Sequence, residues 1–66
     1  MEYSNSQVTK IINEFIHSER DRGIMIQRLT NALTIEQLAE KFEISESTVK
    51  RIIGRCSTVI FRHFPE

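Results

Sequence analysis

An all-α fold, a bundle of three to four helices, is what the sequence dictates. Its 66 residues hold one Pro, at position 65, and two Gly, so only Gly23 and Gly54 interrupt the interior. Ser or Thr stands ahead of stretches in which apolar residues recur at helical spacing. The turns between those stretches are short, and no repeat, linker or low-complexity segment divides the chain. A single domain over 1–66 is therefore expected, near the lower size limit for folding without staples.

The first helix is expected over about 5–17. Ser4-x-x-Gln7 is a capping box, in which each side chain satisfies a free N–H of the first turn. Val8, Ile11, Ile12, Phe15 and Ile16 then form one apolar stripe. The second helix is expected over about 19–31, after Ser18. Glu19 and Asp21 in its first turn face the positive end of the helix dipole. Ile24, Met25, Leu29 and Leu33 supply its buried face. Gly23 either weakens this helix by about 1 kcal/mol relative to Ala or permits a close crossing. The charges from Glu19 to Arg22 read as a solvated face with pairing along the helix.

The third helix, about 35–42, opens on a second capping box, Thr34-x-x-Gln37, and turns Leu38, Ala39 and Phe42 inward. Ser45 is the N-cap of the fourth, about 46–63, with Glu46 in its first turn. Val49, Ile52, Ile53, Cys56, Val59 and Ile60 continue at helical spacing. The run from Ser57 to Phe61 is also β-prone, and Gly54 is able to end the helix early. The stripe stays in phase, which favours the long helix. Tyr3, Phe15, Phe42, Phe61 and Phe64 read as core or tail packing rather than a stacking platform for bases.

The stretch of about 34–55 has the spacing of a helix-turn-helix, with 5–31 as packing helices. Such a unit needs two helices crossing over a turn of about three to four residues. It needs apolar side chains on both helices and in the turn, and a small residue at the close approach. Leu38 and Phe42, Ile44, and Val49 and Ile52 meet the first requirement, and Ala39 the second. The departure is Glu43, where many such motifs carry Gly to take a left-handed backbone; a non-Gly residue costs about 1 kcal/mol there.

Glu19-Arg20-Asp21-Arg22, Ile26 to Leu29, Leu33-Thr34-Ile35-Glu36-Gln37-Leu38-Ala39 and Ile44-Ser45-Glu46-Ser47-Thr48-Val49-Lys50-Arg51 resemble region 4 of bacterial sigma factors. The resemblance covers about residues 19–56. More loosely, the chain is similar to small stand-alone helix-turn-helix proteins of phages and mobile elements of low-GC Gram-positive bacteria. The resemblance implies duplex DNA as partner, with Glu46, Ser47, Lys50 and Arg51 facing the major groove and Thr34 near a phosphate. Many sigma factors carry a polar or basic residue where this chain has Glu46; an acid there accepts from cytosine N4. No other sigma region is present, so a complete, promoter-melting sigma factor is not expected.

The residues themselves point to the same surface. With Val49, Ile52, Ile53 and Cys56 inward, Ser47, Lys50, Arg51 and Arg55 lie outward. Lys50 and Arg51 can bind phosphate or guanine, Arg by paired donors. Ser47 and Thr48 can bond phosphates or base edges. Thr34 and Ser45 are helix caps first and phosphate contacts second. The expected function is sequence-specific duplex DNA binding by a small transcriptional regulator. The alternatives are a protein-interaction module contacting RNA polymerase, as region 4 does, or an architectural, excisionase-like DNA-binding protein. The apolar run Val59, Ile60, Phe61 and Phe64 is expected either to pack on the first helix or to form a homodimer contact.

Nothing in the sequence points to catalysis, a cofactor or a metal. No Ser/His/Asp or Cys/His spacing is present, and no Gly-rich loop. His17 and His63 stand too far apart in sequence from other ligands, and Cys56 lies on an apolar stripe. One Cys excludes an internal disulfide and fits a reducing cytoplasm. No apolar run approaches the roughly 18 residues of a membrane span, and the first residues lack the pattern of a signal peptide. Net charge is zero, from nine bases and nine acids. The balance is uneven: residues 1–45 carry five bases and seven acids, and residues 46–66 four bases and two acids. An acidic scaffold thus carries a mildly basic end that includes the expected recognition helix.

Overall fold

A computed structural model describes residues 4–63. Four α-helices follow in order: α1 (Asn5–Phe15), α2 (Glu19–Thr30), α3 (Ile35–Phe42) and α4 (Glu46–Arg62). Among the described residues α2 and α4 each touch all three other helices, whereas α1 and α3 touch only α2 and α4. Tyr3 and Phe64, assigned to packing by sequence, lie outside the described residues.

Every helix starts on the side chain expected of it. Ser4 Oγ accepts from Gln7 N at 3.2 Å while Gln7 Oε1 accepts from Ser4 N at 2.9 Å. Thr34 and Gln37 repeat this, at 3.1 and 2.8 Å. Ser18 Oγ accepts from Asp21 N at 3.3 Å, and Ser45 Oγ from Thr48 N at 3.1 Å. Each such cap contributes about 1 kcal/mol.

α3 ends where the sequence places it, and the other three helices end one or two residues early. α1 stops at Phe15 because Ile16 turns to extended backbone and drives its side chain into the core, 5% exposed. That bend brings the chain to Ser18 in the extended geometry an N-cap needs. α2 stops at Thr30, and Ala32 takes a left-handed conformation, φ 54°. Arg28 Nη1 donates to the Leu33 carbonyl at 2.8 Å and fastens this turn. Leu33 therefore packs against the core from the turn, not from α2. Leu29, expected inside, stays 36% exposed, because the fully buried part of α2 ends at Met25.

Residues 57–61 are helical, so the β reading of that segment is set aside. The peptide groups are already paired within α4, and Ile60, fully buried, and half-buried Val59 keep the stripe in phase. This part of the C-terminal apolar run packs within the chain. Phe61 is 57% exposed and so stands outside the buried core. Phe15 of α1 stacks on His63 at the end of α4, with ring centres 3.6 Å apart and planes parallel to 1°. One core unites the helices: Val8, Ile12 and Ile16; Ile24 and Met25; Leu38; and Val49, Ile52, Cys56 and Ile60.

Candidate nucleic-acid interface

The α3–α4 turn sets the geometry of the interface. Glu43 takes the left-handed conformation that Gly supplies in many such turns, φ 56° and ψ 46°. Ile44 N donates to the Ala39 carbonyl at 3.0 Å and Glu43 N to the Glu40 carbonyl at 3.4 Å. That pair of bonds is a Schellman closure, which ends α3 sharply and satisfies its last carbonyls. Ile44 then packs against the core, and Ser45 opens α4 two residues after the bend. At the other end of the unit, Gly23 of α2 lies under the Phe42 ring, which ties α3 to the packing helices.

The outward face of α4 is built by helical geometry. Val49, Ile52, Cys56 and Ile60 are buried. At about 100° per residue, Ser47, Gly54 and Thr58 fall on the line opposite to them. All three are exposed and small. Lys50 lies on one flank of that line, and Arg51 and Arg55 on the other. Lys50 and Arg51 are exposed, and among the described residues neither has an ion-pair partner. Glu46 is exposed in the first turn. Thr48 is half-buried and turned to Ser45, with the two hydroxyl oxygens 2.8 Å apart. Ser45 and Thr48 thus spend most of their hydrogen bonding on the cap. Thr34 is exposed, but its N–H is taken by Gln37, leaving its hydroxyl proton and the next N–H groups of α3 for any outside acceptor.

Arg55 differs from the other cations. Its Nη2 donates to Oδ2 of Asp21 at 2.5 Å, across to α2. Asp21 is the one buried charged residue among those described, 4% exposed, and its Oδ1 also meets Arg20 Nε at 3.5 Å. The solvated-face reading of Glu19 to Arg22 therefore fails at Asp21. The signal was present in the sequence: Asp21 stands three and four residues before Ile24 and Met25, on the buried face of α2. Behind the pair, Cys56 is buried, and burial together with the Asp21 carboxylate pushes its thiol pKa up, against the lowering effect of Arg55.

Among the described residues no three His, Cys, Asp or Glu side chains converge as metal ligands. No described helix is long and apolar enough to cross a membrane. Four helices with a capped, Schellman-closed turn between the last two, and Lys50 and Arg51 exposed on the last, form a helix-turn-helix domain, a fold that suggests DNA binding. Residues 18–59 match the family described as Sigma-70, region 4, and the chain belongs to it. No curated protein and no solved structure matches the chain. The match leaves α1 outside it, as a helix that closes the core over α2 and α4.

Proposed function

We propose that this domain binds duplex DNA sequence-specifically as a small regulator of transcription, with α4 in the major groove. The observation that carries the reading is the pair Lys50 and Arg51, exposed on flanking sides of α4 and free of ion pairs among the described residues. Unpaired cations on a solvent-facing helix are available to phosphate and guanine without first breaking an internal bond. Between them the small line of Ser47 and Gly54 lets the helix approach the groove floor. Ser47 and Glu46 reach base edges, Glu46 as an acceptor for cytosine N4. Thr34, Ser45 and Thr48 lie at helix N-termini, where hydroxyl and N–H donors hold phosphates.

The scaffold is acidic, with exposed Glu36, Glu40 and Glu43 on and beside α3. Non-specific affinity is therefore modest, and useful binding leans on base contacts. A DNA partner and the lone buried thiol both fit the cytoplasm.

Selection from a random duplex pool, followed by salt titration, tests the reading. Enrichment of one sequence, with affinity falling steeply as salt rises, is expected. If no sequence is enriched while the chain captures RNA polymerase, the protein-interaction reading replaces this one.

A further inference from the structure

We propose that Asp21 is a positioning residue for Arg55, holding its guanidinium on the Arg51 flank of α4 so that it contacts a phosphate. The inference rests on the DNA-binding reading and adds to it a residue of α2 that never touches the duplex.

The geometry divides Arg55 in two. Its Nη2 is anchored by the Asp21 carboxylate, while the side chain as a whole stays 60% exposed. A guanidinium has five N–H donors in a rigid fork. One is used by Asp21 and the Cys56 thiol draws on another, while the side chain stays mostly exposed and leaves the rest of the fork to the outside. The anchor is itself fixed. Asp21 is 6% exposed in its side chain, its N–H is capped by Ser18, and its second oxygen meets Arg20. An unanchored arginine on a helix surface samples many rotamers. Here the fork is held at one azimuth, four residues and about one turn beyond Arg51. Arg51 and Arg55 then form a two-step basic row about 6 Å apart along the helix axis. Lys50 faces them across the Ser47–Gly54 line. Cations on both flanks of a helix match the two phosphate walls of a major groove.

A purely stabilising role explains less. An ion pair whose cation is mostly exposed contributes little to stability, and any cation serves to compensate a buried carboxylate. Arg supplies that compensation while leaving oriented donors outside.

Salt dependence of binding separates the two roles, using the full chain and the duplex enriched by selection. Asp21→Asn removes a negative charge near DNA, so simple electrostatics raises affinity. The positioning role requires the opposite. Asp21→Asn is expected to keep its helical circular dichroism, to bind severalfold more weakly, and to lower the slope of log affinity against log salt by about 0.9, one phosphate contact. Arg55→Gln is expected to give the same loss, and the double variant no more than Arg55→Gln alone. Tighter or equal binding by folded Asp21→Asn, with an unchanged slope, overturns the inference. Should Asp21→Asn not fold, Arg55→Lys decides: it keeps the charge but not the fork. It is expected to bind severalfold more weakly with little change in slope, because an ammonium still neutralises phosphate charge but offers no oriented fork, and affinity equal to the parent overturns the inference. If the unmodified chain shows no salt-dependent duplex binding, the DNA reading falls and this inference with it. If the unmodified chain binds and the variants match it, only the positioning role falls.

Discussion

The Phe42 ring lies directly over Gly23: a Cβ added to that glycine meets Cε1 at 3.1 Å and Cζ at 3.2 Å. The close crossing of α2 and α3 is thus built on the missing side chain. Gly54 on α4 is the opposite case, with nothing within 4 Å of an added Cβ. Replacing a mid-helix Gly by Ala gains about 1 kcal/mol of helix propensity. Gly54→Ala is therefore expected to raise stability by about 1 kcal/mol, or roughly 4–8 °C in Tm. Gly23→Ala gains less, because the ring must shift by a few tenths of an ångström. Thermal melts of the two variants check the ordering; equal gains would mean that Phe42 moves freely.

Gly54 also separates stability from binding. It is exposed on the line of α4 that the proposed function turns to the groove floor. Gly54→Leu is expected to melt no lower than the parent, since open space surrounds the site. It is expected to bind the selected duplex at least about fivefold more weakly, as an overfilled contact costs roughly 1–3 kcal/mol. Fluorescence anisotropy reads the affinity, and undiminished binding would place another face of α4 against DNA.

Among the described residues two non-glycines hold left-handed backbone, Ala32 at φ 54° and Glu43 at φ 56°. The steric cost of that region is about 1–2 kcal/mol, offset in part by the greater chain entropy glycine loses on folding. Ala32→Gly and Glu43→Gly are each expected to stabilise by about 0.5–1 kcal/mol. Denaturant midpoints with an unchanged m-value check this. Glu43→Val, β-branched at the same angle, is expected to destabilise.

Cys56 gives the domain an alkaline limit. It is 2% exposed, and burial first, then the Asp21 carboxylate, push its thiol pKa above the ordinary value while Arg55 opposes them. The folded state therefore favours the protonated thiol. Its contribution to stability is fully present below the unfolded pKa of about 8.5 and is lost as pH rises through the folded value. The Tm is expected to fall above about pH 9. Cys56→Ala is expected to start from a lower Tm and to lose less of it over that range. A thiol reagent at pH 7 should label the native chain far more slowly than the unfolded one.

The helices and caps were legible because they are local. Ser4, Ser18, Thr34 and Ser45 each state a helix start through a side chain and an N–H three residues away. The left-handed turn at Glu43 was legible from the spacing of its neighbours, although the residue itself argues against it. What escaped was non-local or competitive. Ile16 leaves α1 early because its burial outweighs one more helical residue. Leu29 has the right spacing on α2, yet the fully buried face ends at Met25. Asp21 read as a surface charge although its spacing sets it on the Ile24 and Met25 face, because the partner that compensates its burial is 34 residues away on another helix. At the candidate interface, sequence placed Ser47, Lys50 and Arg51 outward, as they are. It did not distinguish them from Arg55, whose charge is shared with α2.

In the proposed function the exposed cations Lys50 and Arg51 of α4 carry DNA binding. Substituting Lys50 and Arg51 together by Ala, and measuring affinity for the selected duplex with helical content in parallel, tests it most directly. Each lost contact to a base or phosphate costs about 1–3 kcal/mol, so affinity is expected to fall at least about 30-fold. Helicity should stay intact, since both side chains are exposed and make no ion pair among the described residues. A folded double variant that binds the selected duplex as tightly as the parent would contradict the claim.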